Sequence, residues 1–364
     1  MTADSTHSRA TIADVAAAAG VSRATVSKAL NGRGDISAAT RERVLAVVAQ
    51  LGYRSTTAPA SSSERRALAV VFDLPASPYI LAVLQGVLVA ATESGHDLLA
   101  RLAPPRASRT QRSFARQWVA DQQAAGVVGV IGLTLSAPDG LIEAAHNVGM
   151  PVVIVDPVDT HLRRMVSVGS SNWAGARTAT EHLIGLGHRR IAWVGGPETS
   201  DAARDRLYGY QAALAAAGIE LDPSLIRAGQ FSVASGTENA AALLDLDSRP
   251  TAIMAGDDEI AVGALAAAHA RGIVVPDELS IIGFDDTPQA AWTTPPLTTV
   301  HQHLDGMGAM AVQTVLAMAE GSKPSSRRVE LATTLTVRES TAPAPSAAPS
   351  SGPSSAPSSG RFPA

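Results

Sequence analysis

The segment TIADVAAAAGVSRATVSKALNGRGDISAATRERVLAVVAQL, residues 11–51, carries the start and stop signals of short helices. Thr11 is a typical N-cap residue, and Asp14 three positions later completes the pattern of a capping box. Gly20 favours the left-handed turn that ends a helix, and Ser22 caps a second helix after a two-residue gap. This spacing predicts a helix-turn-helix.

A third helix follows the NGRGD loop, and Ser37 is its predicted N-cap. Apolar residues recur at helical spacing in the second and third helices, so that each helix has one apolar face. These residues are Val21, Val26, Leu30, Val44, Val47, Val48 and Leu51. The pattern predicts a small all-α head with a single apolar centre.

The other face of the second helix distinguishes a DNA-binding head from a plain three-helix linker bundle. Residues 22–30 contain Arg23, Lys28 and several hydroxyl side chains, and they contain no acidic residue. Such side chains suit contact with phosphates and base edges. The sequence therefore favours DNA binding.

The stretches IADVAAAAGVSRATVSKALNG and ISAATRERVLAVVAQLGY closely resemble the head of the lactose-repressor (LacI/GalR) family of bacterial transcription regulators. The resemblance places Arg23, Ala24 and Lys28 at base-reading positions, where arginine suits guanine and alanine suits a thymine methyl group. The other polar residues are better placed for phosphates or helix caps. The expected DNA contacts are Thr11, Ser22, Arg23, Ala24, Thr25, Ser27, Lys28 and Asn31.

Charge is unevenly distributed along the 364 residues. Residues 1–66 contain nine Lys and Arg against five Asp and Glu, whereas the remaining residues contain 20 against 28. A basic head on an acidic body predicts a nucleic-acid contact at one end. The absence of cysteine excludes disulfides and thiolate chemistry. Neither a secretory signal nor a membrane span is recognisable, which predicts a cytoplasmic protein.

From Ala67 onward, short apolar runs bounded by turn residues alternate with helical stretches. The runs are ALAVVFDL, AGVVGVIGL, MPVVIVD, RIAWVGG, TAIMAG and LSIIGFDD. Such alternation predicts an α/β body whose parallel sheets are covered on both faces. The number of units exceeds what one small sheet holds.

The resemblance continues through TATEHLIGLGHRRIAWVGG, RDRLYGYQAAL and ELSIIGFDDTPQAAWTTPPLTTVHQHL. It implies a periplasmic-binding-protein-like body of two lobes, between which the chain crosses near Val166, Pro296 and Arg327. The predicted domains are a helix-turn-helix head at 1–54, a linker at 55–66, the body at 67–340 and a disordered tail at 341–364. The predicted N-lobe spans about 67–166 and 297–327, and the C-lobe spans about 167–296 and 328–340.

The linker departs from the family pattern. In the family it forms a hinge helix on the operator and places a leucine in the minor groove. Here Ser55 and Thr56 replace the usual proline and asparagine, Ser62 stands at the leucine position, and Pro59 disfavours a helix. We therefore expect coupling to depend on the spacing of the heads more than on hinge-helix order.

Acidic residues follow several of the predicted strands. Asp156, Asp257 and Asp285 stand where ligands of open α/β folds bind, beyond the carboxyl ends of parallel strands. Their neighbours Asp258 and Asp286 are at least as compatible with capping the following helices. His301 and His303 have strand spacing, but no further ligand predicts a metal site. We predict neither a cofactor nor a bound metal.

The resemblance adds further effector-binding candidates. Arg206 matches the arginine that grips effector in the family, whereas Arg204 is better explained as a salt-bridged surface residue. Phe231 matches an aromatic that covers the ligand, although core packing would explain it too. Ser77 and Tyr79 match the turn after the first strand. The predicted effector site contains Ser77, Tyr79, Asp156, Arg206, Phe231, Asp257 and Asp285.

One arginine, one aromatic ring and several carboxylates suit a neutral polyhydroxyl ligand. We expect a homodimeric repressor that binds an inverted-repeat operator and responds to a mono- or oligosaccharide. Leu81, Leu84 and Leu88 form an apolar helical stripe that predicts a dimer contact, unless it packs on its own sheet. Alternatives are a regulator that responds to a purine or a partner protein, a soluble solute-binding receptor and, less compatible with the residues, a glycosidase.

Overall fold

The protein forms two compact units, Met1–Arg65 and Arg66–Ala364. The computed structural model describes residues 11–30, 36–51, 66–72, 77–102, 111–135, 139–159 and 164–345. Most of the predicted linker at 55–66 lies outside the described residues, so the hinge prediction stays a prediction. None of the helices in the described part of the chain combines the length and the hydropathy that a transmembrane segment needs.

The described part of the head contains three helices: α1 (Ile12–Ala19), α2 (Arg23–Leu30) and α3 (Ala38–Leu51). The capping box is confirmed, because Thr11 N–H donates to Asp14 Oδ2 at 2.7 Å and Asp14 N–H donates to Thr11 Oγ1 at 3.4 Å. Gly20 ends α1 with φ 65°. Ser22 Oγ accepts the Thr25 N–H at 3.1 Å, which begins α2.

The head core is small. Val15, Val26 and Val44 are fully buried, and Val47 and Val48 pack against them. The predicted stripe of α3 is wrong at its last position, Leu51, whose side chain is 39% exposed. The reason is length, because α1 and α2 have 8 residues each and cannot cover the last turn of the 14-residue α3.

Strands and helices alternate along the described part of the body. The strands are β1 (Ala67–Phe72), β2 (Asp97–Leu102), β3 (Val127–Leu133), β4 (Val152–Val155), β5 (Ser167–Ser170), β6 (Ile191–Val194), β7 (Ile226–Arg227), β8 (Ala252–Ala255), β9 (Ser280–Asp285), β10 (Thr298–His301), β11 (Arg328–Leu331) and β12 (Thr334–Thr336). The helices are α4 (Pro78–Glu93), α5 (Gln111–Ala124), α6 (Asp139–Asn147), α7 (Asn172–Gly185), α8 (Asp201–Ala216), α9 (Val233–Leu244), α10 (Asp258–Ala270) and α11 (Leu304–Ala319).

These strands form two six-stranded sheets, one in each lobe. The first sheet has the order β11-β5-β4-β3-β1-β2, and the second has the order β12-β10-β9-β8-β6-β7. Neighbouring strands pair in parallel, except that β12 runs antiparallel to β10. Buried apolar clusters flank both sheets, as expected for parallel strands covered on both faces.

The predicted lobe boundaries are wrong by one strand at each crossing. The strands β5 and β11 belong to the first sheet and β10 belongs to the second, whereas each was predicted in the other lobe. The chain therefore crosses after Ser170, after His301 and after Leu331. The corresponding predictions are Val166, Pro296 and Arg327. These three strands are short and contain polar residues, and their sequences do not reveal which sheet they join.

The C-terminal segment continues further along the second lobe than predicted. Ser340 is fully buried, Ala342 N–H donates to Ser280 Oγ at 3.0 Å, and Ala344 N–H donates to the Leu186 carbonyl at 2.8 Å. The predicted tail at 341–364 thus begins too early, because low-complexity composition does not report backbone hydrogen bonds. Residues 346–364 lie outside the described part of the chain.

Candidate ligand cleft and DNA interface

Arg206 on α8 occupies the carboxyl edge of the second sheet and is 3% exposed. Its Nε donates to Asn172 Oδ1 at 2.8 Å, and its Nη1 donates to the Gly256 carbonyl at 2.7 Å. Nη1 also lies 3.4 Å from Asp285 Oδ1. These contacts hold the guanidinium plane at one orientation beside a buried carboxylate. Arg206 and Asp285 were both predicted from the sequence as effector-binding residues, and that role stays a prediction.

Aromatic rings pack against this guanidinium. Arg206 Cζ lies 3.8 Å from the ring centroid of Phe284 and 5.9 Å from that of Phe231. Phe231 is half-buried and covers Gly196, where a Cβ would overlap the ring. Phe231 was predicted from the sequence, whereas Phe284 was not, because Phe284 lies inside an apolar strand and resembles ordinary core. Arginine over an aromatic face gains a cation–π contact when both are desolvated.

Two adjacent acids at the end of β8 have different roles. Asp257 is the N-cap of α10, and its Oδ1 accepts the Ile260 N–H at 2.7 Å. Asp258 accepts the Thr287 N–H at 2.7 Å and the Thr299 hydroxyl at 2.6 Å. The expectation that Asp258 caps the helix is therefore wrong. Asp258 instead joins the loop after β9 to β10, through partners far along the chain.

Asp286 does not cap a helix either. Its carboxylate accepts from Arg338 Nη2 at 2.6 Å and from the Thr336 hydroxyl at 3.0 Å, so it ties the end of β9 to the C-terminal segment. His301 Nδ1 lies 3.0 Å from the same carboxylate, and the His301 and His303 rings meet edge to face. The described residues contain no group of three or more His, Cys, Asp or Glu suited to a metal ion.

The first lobe contributes a second polar group to this edge. Tyr79 on α4 donates its hydroxyl to Asp156 Oδ2 at 3.1 Å. Ser77 precedes α4 but makes no side-chain cap hydrogen bond. Burial raises the pKa of Tyr79, and Asp156 and Asp285 raise it further while Arg206 opposes them. The structure thus brings acids of both lobes into one electrostatic cluster with a single buried arginine.

Desolvation dominates the pKa values of the cleft acids. Burial raises the pKa of Asp257 to about 7 and that of Asp258 to about 6, although hydrogen-bond donors oppose the shift. Burial likewise raises the pKa of Asp285 well above its usual value, against the attraction of Arg206. The pKa of Asp156 is raised for the same reason. The cleft is therefore sensitive to pH near neutrality.

The body should become more stable as the pH falls from 8.5 to 6.5. In the unfolded chain Asp257 loses its proton near pH 3.8, whereas in the folded protein its pKa is about 7. The folded state therefore binds more protons in this window, and the melting temperature should rise by roughly 1–2 °C. Thermal denaturation at several pH values measures the slope.

The variant Asp257→Asn is the control, because asparagine also caps helices but does not titrate. Its melting temperature should depend less on pH than that of the wild type. Burial lowers the pKa of His182 and His188 from the usual value of 6.5. Below pH 6.5 the unfolded chain therefore binds more protons at these histidines, which lowers the stability of the folded state, so the comparison is limited to pH 6.5 and above. Equal slopes for the two proteins would contradict the assignment.

A recess adjoins the Arg206 site and shares Asp156 and Asn172 with it. The empty space in and in front of this recess is about 310 Å³, part of which is open solvent. The lining residues come from both lobes: Asp156, Pro157, Ser167, Gly169, Ser170, Asn172, Asp201, Ala202, Asp205, Arg328 and Glu330. Arg328 of β11 faces Asp205 of α8 at 3.8 Å across the lobes. Arg204 pairs with Asp201 beside it, as predicted for a surface residue.

Strained backbone is concentrated at the same sheet edges. Four non-glycine residues in the described part of the chain have positive φ: Thr134 (47°), Asp156 (47°), Asp285 (112°) and Asp286 (58°). All four lie at or just after the carboxyl ends of β3, β4 and β9. Such conformations cluster at ligand sites, where surrounding structure holds them. No pattern in the sequence distinguishes Thr134.

The second helix presents its polar face as predicted. Ser22, Arg23 and Ala24 are exposed, and Thr25, Ser27 and Lys28 are half-buried, whereas Val26 is buried. The Thr11 and Ser22 hydroxyls both serve helix N-termini. Asn31 lies outside the described residues. The described face suits a DNA contact, and the role of each residue stays a prediction.

Two family models match the chain. The model for bacterial regulatory proteins of the lacI family matches residues 11–55, and the model for a periplasmic-binding-protein-like domain matches residues 180–341. The HTH-type transcriptional regulator DegA of Bacillus subtilis is 34% identical over 339 residues, which cover 92% of this chain and 99% of DegA. The chain belongs to the LacI family. It is accordingly a DNA-binding transcriptional regulator, and the predicted family and fold class are confirmed.

Other LacI-family members match over a similar length. CelR of Thermobifida fusca is 35% identical and covers 91% of this chain and 98% of its own. A solved CelR–cellobiose complex is 34% identical, with a TM-score of 0.68 over 91% of this chain and 100% of that one. The lac repressor dimer bound to operator and the anti-inducer ONPF is 28% identical, with a TM-score of 0.71 over 92% and 100%.

Proposed function

We propose that this LacI-family regulator is a homodimeric repressor whose operator binding is controlled by a neutral mono- or oligosaccharide. The observation that carries the effector class is the buried Arg206, stacked on Phe284 and contacting Asp285. Asp156 and Asp257 add further acceptors at the same edge. Carboxylates accept hydrogen bonds from sugar hydroxyls, while an aromatic face packs on sugar C–H groups.

Charge favours a neutral ligand over a sugar phosphate. One arginine faces several carboxyl groups, so a phosphate would find few positively charged donors and would be repelled by those carboxyl groups that are ionised. Two relatives support a sugar effector by their names. CelR has been solved in complex with cellobiose, and a 32% identical relative is the ribose operon repressor of Haemophilus influenzae. A purine or a partner protein remains the alternative effector. The DNA-binding head argues against a solute-binding receptor.

Fluorescence anisotropy tests the proposal. The protein is titrated onto DNA from its own promoter region at fixed salt, because non-specific affinity falls steeply with salt. A panel containing cellobiose, glucose, ribose, a sugar phosphate and a purine is then added. A neutral sugar should change the DNA affinity, since an effector acts through its differential affinity for two states. A response to the phosphate or the purine alone would overturn the effector class.

Arg23→Ala should weaken operator binding by about tenfold or more and relax specificity at one base pair. An arginine that pairs with guanine contributes discrimination of this order. Anisotropy with the operator and with single-base variants measures it, and Arg116→Ala, an exposed arginine of the body, is the control. If Arg23→Ala weakens binding equally on all sequences, Arg23 contacts phosphate instead.

Replacing Leu81 and Leu88 together by glutamate should dissociate the dimer. Their side chains are 56% and 52% exposed on α4, whereas Leu84 packs against the first-lobe core, so only part of the predicted stripe is free for a dimer contact. An exposed apolar pair is typical of an interface. Light scattering after size exclusion measures the mass. Val274→Glu, at a 51% exposed valine of the second lobe, is the control. A double variant that stays dimeric would contradict this interface.

We infer that the cleft binds its ligand without catalysis. Asp258 accepts three hydrogen bonds from Thr287 and Thr299, whereas Asp257 caps α10 and Asp285 contacts Arg206 in addition to the sugar contacts proposed above. Retaining and inverting glycosidases need an acid and a base or nucleophile that face one sugar bond. Chromogenic glycosides should therefore not be hydrolysed. Turnover that disappears with Asp285→Asn would establish an enzyme.

A further inference from the structure

Residues 339–345, named here the C-terminal strap, follow β12 along the second lobe and contain neither helix nor strand. Ile281 N–H donates to the Ser340 carbonyl at 2.9 Å, and the Ser340 hydroxyl donates back to the Ile281 carbonyl at 2.6 Å. Thr298 N–H donates to Ser340 Oγ at 2.8 Å. The strap therefore begins at the amino ends of β9 and β10, on the sheet edge opposite the cleft.

His188, which follows α7, holds the next part of the strap. The residue is fully buried, and its Nε2 lies 3.0 Å from the Ala342 carbonyl oxygen and 3.0 Å from Ser280 Oγ. Its Nδ1 lies 2.9 Å from Thr251 Oγ1. Because a carbonyl oxygen only accepts, Nε2 carries the proton of the neutral ring, and Nδ1 accepts from the Thr251 hydroxyl. The neutral imidazole therefore satisfies its partners on both sides.

A second histidine contacts the strap one residue earlier. His182, in the last turn of α7, has its Nε2 3.3 Å from the Thr341 hydroxyl. Burial lowers the pKa of both histidines from the usual value of 6.5. For His188 the hydrogen bond to the Ala342 carbonyl opposes this change in pKa, and the nearby His182 adds to it. Both rings are thus harder to protonate while the strap covers them.

Other charged groups near this contact have partners or lie in solvent. Within two positions of the contacting residues, the charged residues are Glu181, Arg189, Arg190, Arg249, Glu278 and Glu339. Of these, Arg189 and Glu339 are exposed, and the others form surface ion pairs, namely Arg190 with Asp222, Arg249 with Glu278 and Glu181 with Arg177. The groups that touch His188 are two hydroxyls and a carbonyl, which do not titrate near neutral pH.

We propose that His182 and His188 form a pH-sensitive clasp, which holds the C-terminal strap on the second lobe at neutral pH and releases it in mild acid. Protonation of His188 beneath the strap encloses a positive charge among partners that carry no negative charge. Release exposes both rings to water, where they bind protons with their usual pKa. Since the released state binds more protons below pH 6.5, a fall in pH favours release.

Hydrogen exchange in the full-length protein tests the clasp, because Ala342 and Ala344 N–H groups donate to Ser280 Oγ and the Leu186 carbonyl in the bound strap. Mass spectrometry follows peptides that cover the strap from pH 7.5 to 5.5, and each rate is corrected for the intrinsic pH dependence of exchange. The equilibrium constant for strap opening should rise about three- to tenfold for each histidine that titrates. The amides of α10, in the same lobe, should not open in parallel.

Variants assign the effect to the two histidines. His188→Gln keeps a side-chain N–H for the Ala342 carbonyl but does not titrate, so it should lose its share of the pH dependence. His182→Gln should lose the other share and, at a half-buried position, carries the test if thermal denaturation shows that His188→Gln unfolds. His269→Gln, at an exposed position of α10, should match the wild type. Strap opening that is independent of pH, that keeps its wild-type pH dependence in both clasp variants, or that α10 follows equally, overturns the inference.

Discussion

The variant Arg206→Met is expected to lose effector binding by about a hundredfold or more, while DNA binding without effector stays within about threefold. Charge-assisted hydrogen bonds contribute roughly 1.5–3 kcal/mol each, and losing two of them corresponds to this factor. The guanidinium also keeps Asn172, Gly256 and Asp285 in place, so its removal leaves buried acceptors unpaired. The head is a separate compact unit and should not be affected.

Calorimetry with the active sugar and anisotropy with operator DNA measure the two affinities. Arg204→Met is a matched control on the same helix, because Arg204 is half-exposed and pairs with Asp201 and the Glu198 carbonyl. It should change sugar affinity less than about twofold, as expected for a surface ion pair. An Arg206→Met protein that stays folded and binds sugar normally would refute the effector site.

Removal of Arg206 should also alter the pH dependence of the body. Its charge opposes the burial that raises the pKa of Asp156, Asp257 and Asp285. Without it these pKa values rise further, so the variant should gain more stability than the wild type as the pH falls towards 6.5. This readout separates the electrostatic role of Arg206 from simple loss of packing.

Local signals in the sequence predicted the head well, because each partner lies within a few residues. Thr11 and Asp14 form the capping box, and Gly20 adopts the left-handed turn that its position predicts. Capping is a short-range interaction, so residue type and spacing are sufficient. The apolar face of α2 followed from helical period in the same way, since Val26 is buried and Arg23 is exposed.

In the body, local sequence patterns do not predict the roles of the acidic residues. Two Asp-Asp pairs each follow an apolar strand and look alike in the sequence. In the structure Asp257 caps a helix, while Asp258 bonds Thr299 and Asp286 bonds Arg338, 41 and 52 residues away. These roles depend on which strands become neighbours, which local patterns do not encode. The lobe boundaries fail for the same reason, since nothing in the sequence of β10, Thr-Thr-Val-His, indicates which of the two sheets it joins.

Gln302 illustrates a related limit. The histidines on either side attracted attention as possible ligands, whereas the glutamine between them had no distinguishing pattern. The amide nitrogen of Gln302 donates to Asp285 Oδ1, and its amide oxygen has no hydrogen-bond partner among the described residues. Both observations depend on the folded structure. Residue type alone does not tell a paired buried amide from an unpaired one. The same applies to Phe284, which only the position of Arg206 distinguishes from core.

The variant Val26→Asp should abolish operator binding and leave sugar binding within about threefold. Val26 is fully buried in a small head core whose buried members in the described residues are valines and alanines. An unpaired buried charge costs several kcal/mol, which is about the entire stability that so small a core supplies. The helix that carries Arg23 would therefore unfold with the head. Anisotropy on operator DNA and calorimetry with the active sugar measure the two sites separately.

Leu45→Asp is the matched control, because it places the same charge on α3 of the same head, where the native side chain is 46% exposed. It should keep both affinities close to those of the wild type. The comparison tests whether the head binds operator and the body binds sugar independently, as well as the stability of the head. If Val26→Asp also lost sugar binding, the body would depend on the head for its own fold, which contradicts two separately packed units. If it kept operator affinity, DNA recognition would have to lie outside α2.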